Sequence, residues 1–205
     1  MIKTLIFDFG DVFINLDKQA TYRELIKLGL SSFSEEMLAT NTLYEAGKIS
    51  SSTFVSYYQQ NFPTTTKKQL ETAWNAIILD FPAHRLQFIE DLAKKSQYQL
   101  ILLSNTNELH IKKVIENMGI ERYKRFKKSF HQFYLSHEIQ LRKPEKEIYQ
   151  FVLDANSLKA NECLFIDDTF ENTEAAKAAG IHVWNNNPLA DDIVHLFQEK
   201  KDIFE

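Results

Sequence analysis

The chain has 205 residues, enough for one domain with a sizeable core or for a domain that carries an insertion. Its proportions of hydrophobic (44%) and charged residues (25%) exclude a disordered or fibrous protein. The formal net charge of −4 excludes a general attraction to nucleic acid or acidic membranes. A single cysteine, Cys163, excludes an internal disulfide framework and favours a reducing compartment.

The N-terminus begins with a lysine and a short apolar run, as targeting segments do. The run at residues 5–7 stops at Asp8, which is too early for the apolar core of a signal peptide, and no small-residue cleavage site follows. No stretch approaches the roughly 18 uninterrupted apolar residues that a membrane span needs. We therefore expect a cytoplasmic protein that does not enter the membrane.

Short apolar runs separated by amphipathic helical patterns predict the core of the fold. The runs lie at residues 5–7, 98–103, 163–166 and 181–184, with a weaker one at 130–135. Continuous apolar runs are typical of parallel strands that are covered on both faces. The alternation of strands and helices predicts an α/β fold with a doubly wound, mostly parallel sheet.

One segment after the first strand contains no convincing strand. Helical patterns lie near residues 18–28, 34–46, 50–60 and 67–78, with serine N-caps and glycine stops at their ends. We predict a core domain of residues 1–15 and 80–205 and an all-helical cap of residues 16–79. An insertion at this point lies over the carboxyl end of the sheet, where open α/β sheets bind ligands.

Polar residues stand where the apolar runs stop. Asp8 ends the first run, Ser104 the second, and the pair Asp167 and Asp168 a later one, while Lys143 precedes a helix. The sheet is expected to bring them together. A carboxylate can attack phosphorus, and a lysine, a hydroxyl and a metal can stabilise the transferring phosphoryl group. Crowded carboxylates also favour a hard cation such as Mg²⁺.

Four motifs in order resemble those of the haloacid dehalogenase superfamily. They are residues 5–12 (LIFDFGDV), 100–107 (LILLSNTN), 141–145 (LRKPE) and 164–169 (LFIDDT). Together with the helical insertion, this similarity covers nearly the whole chain. Within the superfamily the chain is similar to bacterial sugar-phosphate phosphatases, especially the α-D-glucose-1-phosphate phosphatases.

The resemblance implies a role for each matching position. Asp8 would be the nucleophile, Ser104 and Asn105 would bind the substrate phosphate, and Lys143 would neutralise nucleophile and phosphate. The substrate would be a small phosphorylated metabolite, such as a hexose 1-phosphate, and the reaction would pass through an aspartyl-phosphate.

The resemblance also implies a magnesium site. Asp8 and Asp168 would be direct ligands of Mg²⁺, and Asp167 would bind it directly or through water. The backbone carbonyl of Gly10 would complete the protein's share of the coordination.

Gly10 departs from the family pattern, because most phosphatases of the superfamily have an aspartate there that serves as general acid and base. Three explanations stay open. The leaving group can be one that needs little protonation, as at an anomeric carbon. Asp11 or a cap residue such as Asp17 can take over the role. Alternatively, the protein has lost catalysis and only binds its ligand.

Other readings compete with the phosphatase. A haloalkanoate dehalogenase also uses an aspartate nucleophile, but it needs no metal and lacks the paired acids at 167 and 168. A non-catalytic protein that binds phosphorylated metabolites is a third possibility. The basic run at residues 122–128 contains aromatics, as nucleic-acid sites do, but in an acidic chain we expect a solvated face and no nucleic-acid partner. The sequence does not predict the oligomeric state.

Overall fold

A computed structural model describes all 205 residues. Its centre is a five-stranded sheet in the order β3-β2-β1-β4-β5. All four neighbouring pairs are parallel, so the sheet is wholly rather than mostly parallel. The strands are β1 (Thr4–Phe7), β2 (Gln99–Ser104), β3 (Gln132–Leu135), β4 (Cys163–Asp167) and β5 (His182–Asn185).

Twelve α-helices surround and extend this sheet. Four lie between β1 and β2: α1 (Ala20–Lys27), α2 (Glu35–Glu45), α3 (Ser51–Asn61) and α4 (Lys67–Asn75). The others are α5 (Ala83–Lys95), α6 (Glu108–Met118), α7 (Ile120–Lys128), α8 (Ser136–Ile139), α9 (Lys146–Ala155), α10 (Phe170–Ala178), α11 (Leu196–Glu199) and α12 (Lys201–Phe204). None of them combines the length and apolar character that crossing a lipid bilayer requires.

The central strand explains why the sheet is covered on both faces. Successive side chains of a strand point to opposite faces. Leu5 and Phe7 accordingly pack into one hydrophobic cluster with residues of α5, α6 and α7. Ile6 joins a second cluster with residues of α9 and α10, such as Ile148 and Ala176. This arrangement is the predicted doubly wound α/β core.

Helices α1–α4 share a hydrophobic cluster of their own. Phe54, Tyr58 and Trp74 are buried in it and pack against one another. Two of the helices begin where the sequence predicts: the hydroxyl of Ser34 accepts the N–H of Met37 before α2, and Ser50 caps α3 in the same way. The cap therefore has its own aromatic core.

The two chain segments that connect these helices to the sheet run side by side. Leu16 and Ile78 form an isolated antiparallel bridge. Next to it, Asn15 and Asp80 are joined by a backbone hydrogen bond of 2.9 Å and a side-chain bond of 2.9 Å. This pairing forms a stem close to the predicted boundaries at residues 15–16 and 79–80.

The basic run at residues 122–128 falls in α7. Its aromatic members Tyr123 and Phe126 are buried in the core, where they cannot stack on bases. Arg125 pairs with Glu90 at 2.7 Å on the surface. The run is thus a solvated basic face above a buried aromatic face.

Candidate active site

The residues predicted to carry the chemistry gather at the carboxyl end of the central strands. β1 lies between β2 and β4, so the chain leaves it at the point where the strand order reverses. Asp8 follows β1, Ser104 ends β2 and Asp167 ends β4. The N–H of Asp8 donates to the carbonyl of Ile166 at 2.8 Å, which extends the ladder to the residue that carries the carboxylate.

Lys143 lies between two of the carboxylates. Its Nζ is 2.7 Å from Oδ1 of Asp8 and 2.6 Å from Oδ2 of Asp167. The lysine side chain is only 1% exposed, so these contacts lie in a poorly solvated environment where charge–charge attraction is strong. One ammonium thus joins the predicted nucleophile to the predicted metal-binding pair.

Burial and neighbouring charges have opposite effects on the pKa values of Asp8 and Lys143. Burial raises the pKa of Asp8 to about 7, against the lowering effect of Lys143 and with further raising by Asp167 and Asp168. Burial alone would lower the pKa of Lys143, but the attraction of Asp167 and Asp8 outweighs it, and the pKa is raised. Lys143 therefore stays an ammonium, while Asp8 has lost part of its preference for the charged form.

The backbone of Lys143 is held by Asn105. The side-chain oxygen of Asn105 accepts the N–H of Lys143 at 2.9 Å, and its amide nitrogen donates to the carbonyl of Lys143 at 2.8 Å. Both polar atoms of the Asn105 side chain, which was predicted to bind phosphate, therefore form hydrogen bonds with the backbone of Lys143. Asn105 still lines the cleft described below.

The two adjacent aspartates have different surroundings. Asp167 is fully buried, and its oxygens accept hydrogen bonds from the N–H of Thr169, the side chain of Asn172 and Lys143. Asp168 pairs instead with Lys18, a residue of the stem region. Asp167 is therefore fixed from several sides, while Asp168 faces the cleft.

The oxygen donors fit a hard cation. Asp8, Asp167 and Asp168 each offer one carboxylate oxygen, and the three atoms lie within 4.8 Å of one another. Gly10 lines the same cleft, and a Cβ at this position would lie 3.9 Å from Oδ2 of Asp8. Such an all-oxygen set suits Mg²⁺, which binds to proteins through one or two carboxylates together with water.

These side chains surround an open cleft of about 400 Å³. Its walls are almost entirely polar: Asp8, Gly10, Leu16, Lys18, Glu45, Asn105, Arg142, Lys143, Pro144, Asp168, Thr169, Glu171 and Asn172. Of the predicted site residues, Asp167 and Ser104 are buried and do not form part of the walls. Lys18, Glu45 and Arg142 were not among the predicted site residues, although Arg142 belongs to the motif at residues 141–145.

The two predicted substitutes for a carboxylate at position 10, Asp11 and Asp17, make other contacts. The space that a Cβ of Gly10 would enter is taken by Leu16, whose Cδ1 would be 2.7 Å away. Asp11 accepts the N–H of Leu16 at 2.9 Å, and Asp17 accepts a bond from Arg23 at 3.1 Å. Neither aspartate lines the cleft, which speaks against both as general acids.

One ion pair joins the cap to the core across the cleft. Nη2 of Arg142 lies 3.0 Å from Oε2 of Glu45, the last residue of α2. Burial raises the pKa of Glu45, and Arg142 opposes this effect. The turn after Glu45 is pressed against α8, since a Cβ at Gly47 would lie 2.0 Å from the carbonyl oxygen of His137.

Comparisons with known proteins agree with this geometry. A family model described as haloacid dehalogenase-like hydrolase matches residues 2–180. D-ribitol-5-phosphate phosphatase of Bacteroides thetaiotaomicron is 26% identical over 197 residues, which cover 93% of this chain and 95% of that protein.

Solved structures similar to this chain belong to the same family. A haloacid dehalogenase family enzyme from Bacteroides thetaiotaomicron, in complex with magnesium and inorganic phosphate, is 31% identical with a TM-score of 0.81, covering 96% of this chain and 100% of that one. A predicted hydrolase of the same family from Porphyromonas gingivalis is 25% identical with a TM-score of 0.75, covering 90% of each chain.

Proposed function

Because the chain belongs to the haloacid dehalogenase-like hydrolase family, we propose that it is a magnesium-dependent phosphatase that acts on a small phosphorylated metabolite. The observation that carries the proposal is the position of Lys143 Nζ, 2.7 Å from Asp8 and 2.6 Å from Asp167 at the floor of a polar cleft. This arrangement suits a carboxylate nucleophile and a dianionic phosphate ester in one site.

In the first step a carboxylate oxygen of Asp8 attacks the phosphorus of the ester. A bond forms between this oxygen and phosphorus, and the bond from phosphorus to the ester oxygen breaks with its electron pair moving to the leaving oxygen. The leaving alkoxide takes a proton from water. Lys143 neutralises charge on the attacking oxygen and on the phosphoryl group.

In the second step water attacks the phosphorus of the aspartyl-phosphate. The bond between phosphorus and the Asp8 oxygen breaks, which releases inorganic phosphate and regenerates the carboxylate. The proton that the attacking water loses neutralises the hydroxide left by the first step. Asn105 keeps Lys143 in place through both steps, since it holds the lysine by both backbone groups. We assign Asn105 this positioning role and propose that it also contacts the phosphate, together with Ser104.

Asp8, Asp168 and the Gly10 carbonyl would hold the magnesium ion. Asp167 would bind it directly or through water, since its oxygens accept more hydrogen bonds from the protein than those of the other two. The bound ion supplies positive charge that lowers the repulsion between these carboxylates and the substrate phosphate. Magnesium and phosphate complexes of a family member that is 31% identical support this assignment.

The substrate we propose is a monophosphate of a sugar or sugar alcohol. The polar walls of the cleft suit a hydroxylated molecule better than an apolar one. A relative at 26% identity acts on D-ribitol-5-phosphate, and the sequence motifs favour a hexose 1-phosphate. Both belong to this class. The dehalogenase alternative is disfavoured by Asp168, which faces the cleft beside Asp8 and has no role in that reaction.

Phosphate release from a panel of sugar, sugar-alcohol and nucleotide monophosphates tests the proposal. We expect turnover with Mg²⁺ and its loss with EDTA, and Asp8→Asn should abolish it. Full activity in EDTA would contradict the metal assignment. Turnover of no phosphate ester by the wild type would favour a binding protein, and a wild-type rate for Asp8→Asn would exclude the covalent mechanism.

A further inference from the structure

Lys18 brings a second ammonium group to the cleft. It lies between the stem and helix α1, and its side chain lines the same cleft as Asp8. Its Nζ forms an ion pair with Asp168 and lies 3.3 Å from Oδ2 of Asp11. The chemistry described above gives Lys18 no role, although it contacts a proposed ligand of the magnesium ion.

The two lysines of the cleft differ in how tightly they are held. Lys143 is only 1% exposed, and its ammonium is bonded to two carboxylates at the floor of the site. The side chain of Lys18 is 52% exposed, so its flexible stem has room to turn within the cleft. An ammonium has three donors, and the contacts with Asp168 and Asp11 leave one of them unused. Lys18 is therefore available to a bound substrate.

Lys18 approaches the cleft from the side where the usual acid is missing. Leu16, two residues earlier in the chain, fills the space that a side chain at Gly10 would enter. The N–H of Leu16 donates to Oδ1 of Asp11 at 2.9 Å, and the ammonium of Lys18 lies near the other oxygen of that carboxylate. The contact with Asp11 thus keeps Lys18 on the Gly10 side of the cleft.

The leaving oxygen of the ester needs a positive neighbour on this side. In an in-line displacement it lies across phosphorus from the attacking oxygen of Asp8. An acid at position 10 would protonate this oxygen, so we expect it on the Gly10 side. Of the other two cations that line the cleft, Lys143 contacts Asp8 itself. Arg142 is paired with a glutamate of the cap. Lys18 is the cation that remains for the leaving oxygen.

On the basis of the proposed phosphatase function, we propose that Lys18 is a further catalytic residue, whose ammonium donates a hydrogen bond to the leaving oxygen in place of the acid absent at Gly10. A lysine has an ordinary pKa of about 10.4, so the group is charged at neutral pH. It stays an ammonium throughout the step. The electron pair of the breaking bond moves to the leaving oxygen, Lys18 stabilises the resulting charge, and the alkoxide takes its proton from water.

The basicity of the leaving group distinguishes this role from a structural one. p-Nitrophenolate is a weak base that departs without help, whereas the alkoxide of benzyl alcohol is a strong base whose charge needs stabilisation. The two phosphate esters each carry one aromatic ring, so leaving-group basicity is the main difference between them. The leaving group departs in the first step, which kcat/KM reports, while hydrolysis of the aspartyl-phosphate is common to both esters.

The experiment measures kcat/KM for p-nitrophenyl phosphate and benzyl phosphate at saturating Mg²⁺ in the wild type, Lys18→Met and Lys27→Met. Lys18→Met removes the charge and keeps a long unbranched side chain. It should lower kcat/KM for benzyl phosphate about 100-fold or more, as the loss of an oxyanion donor does, and that for p-nitrophenyl phosphate at most about threefold. Lys27 is exposed on α1, pairs with Glu24 at 2.6 Å and does not line the cleft, so Lys27→Met should leave both values unchanged.

Magnesium binding is measured separately by calorimetry, because Lys18 contacts Asp168. Lys18→Met lacks a cation that competes with Mg²⁺ for this carboxylate, so it should bind Mg²⁺ at least as tightly as the wild type. Lys18→Arg keeps the charge and the donors and should recover part of the lost kcat/KM for benzyl phosphate. Lys18→Gln replaces Lys18→Met in both measurements if thermal unfolding shows that the methionine variant does not fold.

The outcomes separate this inference from the function on which it rests. Equal losses on both esters in Lys18→Met, wild-type kcat/KM for benzyl phosphate, or losses explained by weaker Mg²⁺ binding would each overturn the role of Lys18 and leave the phosphatase intact. So would a wild type that hydrolyses p-nitrophenyl phosphate but neither benzyl phosphate nor D-ribitol-5-phosphate. A wild type that hydrolyses none of the three esters would overturn the phosphatase function itself.

Discussion

Asn105 holds Lys143 by both of its backbone groups, with hydrogen bonds of 2.9 Å from the lysine N–H and 2.8 Å to its carbonyl. The same lysine places its Nζ between Asp8 and Asp167. The end of β2 is therefore connected to the nucleophile through a single residue of the loop before α9. The position of the ammonium depends on this pair of bonds.

We expect Asn105→Ala to lower kcat about 10- to 100-fold with little change in KM, because a catalytic group displaced by about 1 Å can lose that much. The loss of two partly buried hydrogen bonds should also destabilise the fold by about 1–3 kcal/mol. Steady-state kinetics and thermal unfolding measure the two effects. Asn61→Ala is the matched control, since Asn61 is exposed and bonds only the carbonyl of Tyr57. A wild-type kcat in Asn105→Ala would contradict the positioning role.

The contact between Asn105 and Lys143 also shows which features of the site can be predicted from sequence and which cannot. The placement of Asp8, Asp167 and Asp168 follows from one rule, that carboxyl ends of parallel strands meet at one edge, and the five strands were predictable from their apolar runs. The orientation of a side chain follows no such pattern. Asn105 was expected to bind phosphate, and only the packed structure directs its amide to the Lys143 backbone.

The pairing of Glu45 with Arg142 could not be predicted for a different reason. The two residues are 97 positions apart, and their contact depends on how the cap lies on the core. Periodicity predicts the cap helices and their serine caps, but it carries no information on the surface that a helix end meets. The contact of Gly47 with His137, which fixes that surface, is a property of tertiary packing alone.

Replacing Gly47 tests the importance of this close approach. In Gly47→Ala the new Cβ would lie 2.0 Å from the His137 carbonyl oxygen, so the turn must move and carry Glu45 with it. We expect kcat/KM for a polyol phosphate to fall at least about tenfold, together with a loss of stability. Kinetics and melting temperature provide the readout.

Gly29→Ala is the control for backbone strain. Both glycines have positive φ, +64° at Gly47 and +108° at Gly29, but a Cβ at Gly29 meets nothing within 4 Å. Gly29→Ala should therefore lose stability, by about 1–3 kcal/mol, and keep its kcat/KM within about twofold. Equal kinetic losses in both variants would show that strain, and not the approach to His137, is responsible.

The half-buried His110 predicts acid sensitivity at the boundary between cap and core. Its ring stacks on Trp74 at 5.3 Å and bonds the Trp74 carbonyl at 3.3 Å. Burial lowers the pKa of His110 to about 4, against the raising effect of the Trp74 carbonyl. Between pH 6.5 and 4 the unfolded chain therefore binds the proton more readily than the folded one, and the fold loses stability as pH falls through this window.

Because of His110, the free energy of unfolding should fall by an amount on the order of 2–3 kcal/mol between pH 6.5 and pH 4. Denaturant unfolding at several pH values measures it. His110→Gln removes the titrating group and should flatten this part of the profile, whereas His182→Gln, at an exposed position of β5, should leave it unchanged. Identical profiles for wild type and His110→Gln would contradict the prediction.

The raised pKa of Asp8 links magnesium binding to pH. Burial raises this pKa to about 7 in the metal-free protein, so the folded state retains a proton that the unfolded state releases above about pH 4. Without metal, the contribution of Asp8 to stability accordingly falls as pH rises from about 4 to 7. Magnesium competes with this proton, and its apparent affinity should rise about tenfold per pH unit below 7 and level off above it.

Thermal unfolding at pH 6 and pH 8, each with and without Mg²⁺, tests the linkage. With Mg²⁺ well above its Kd at both pH values, the stabilisation should be larger at pH 8, by about 1.4 kcal/mol for one competing proton. Asp8→Asn cannot titrate, so its response to Mg²⁺ should be weaker and nearly equal at the two pH values. A wild-type response that is the same at pH 6 and 8 would mean that Asp8 is already ionised at pH 6, and that Lys143 outweighs the effect of burial.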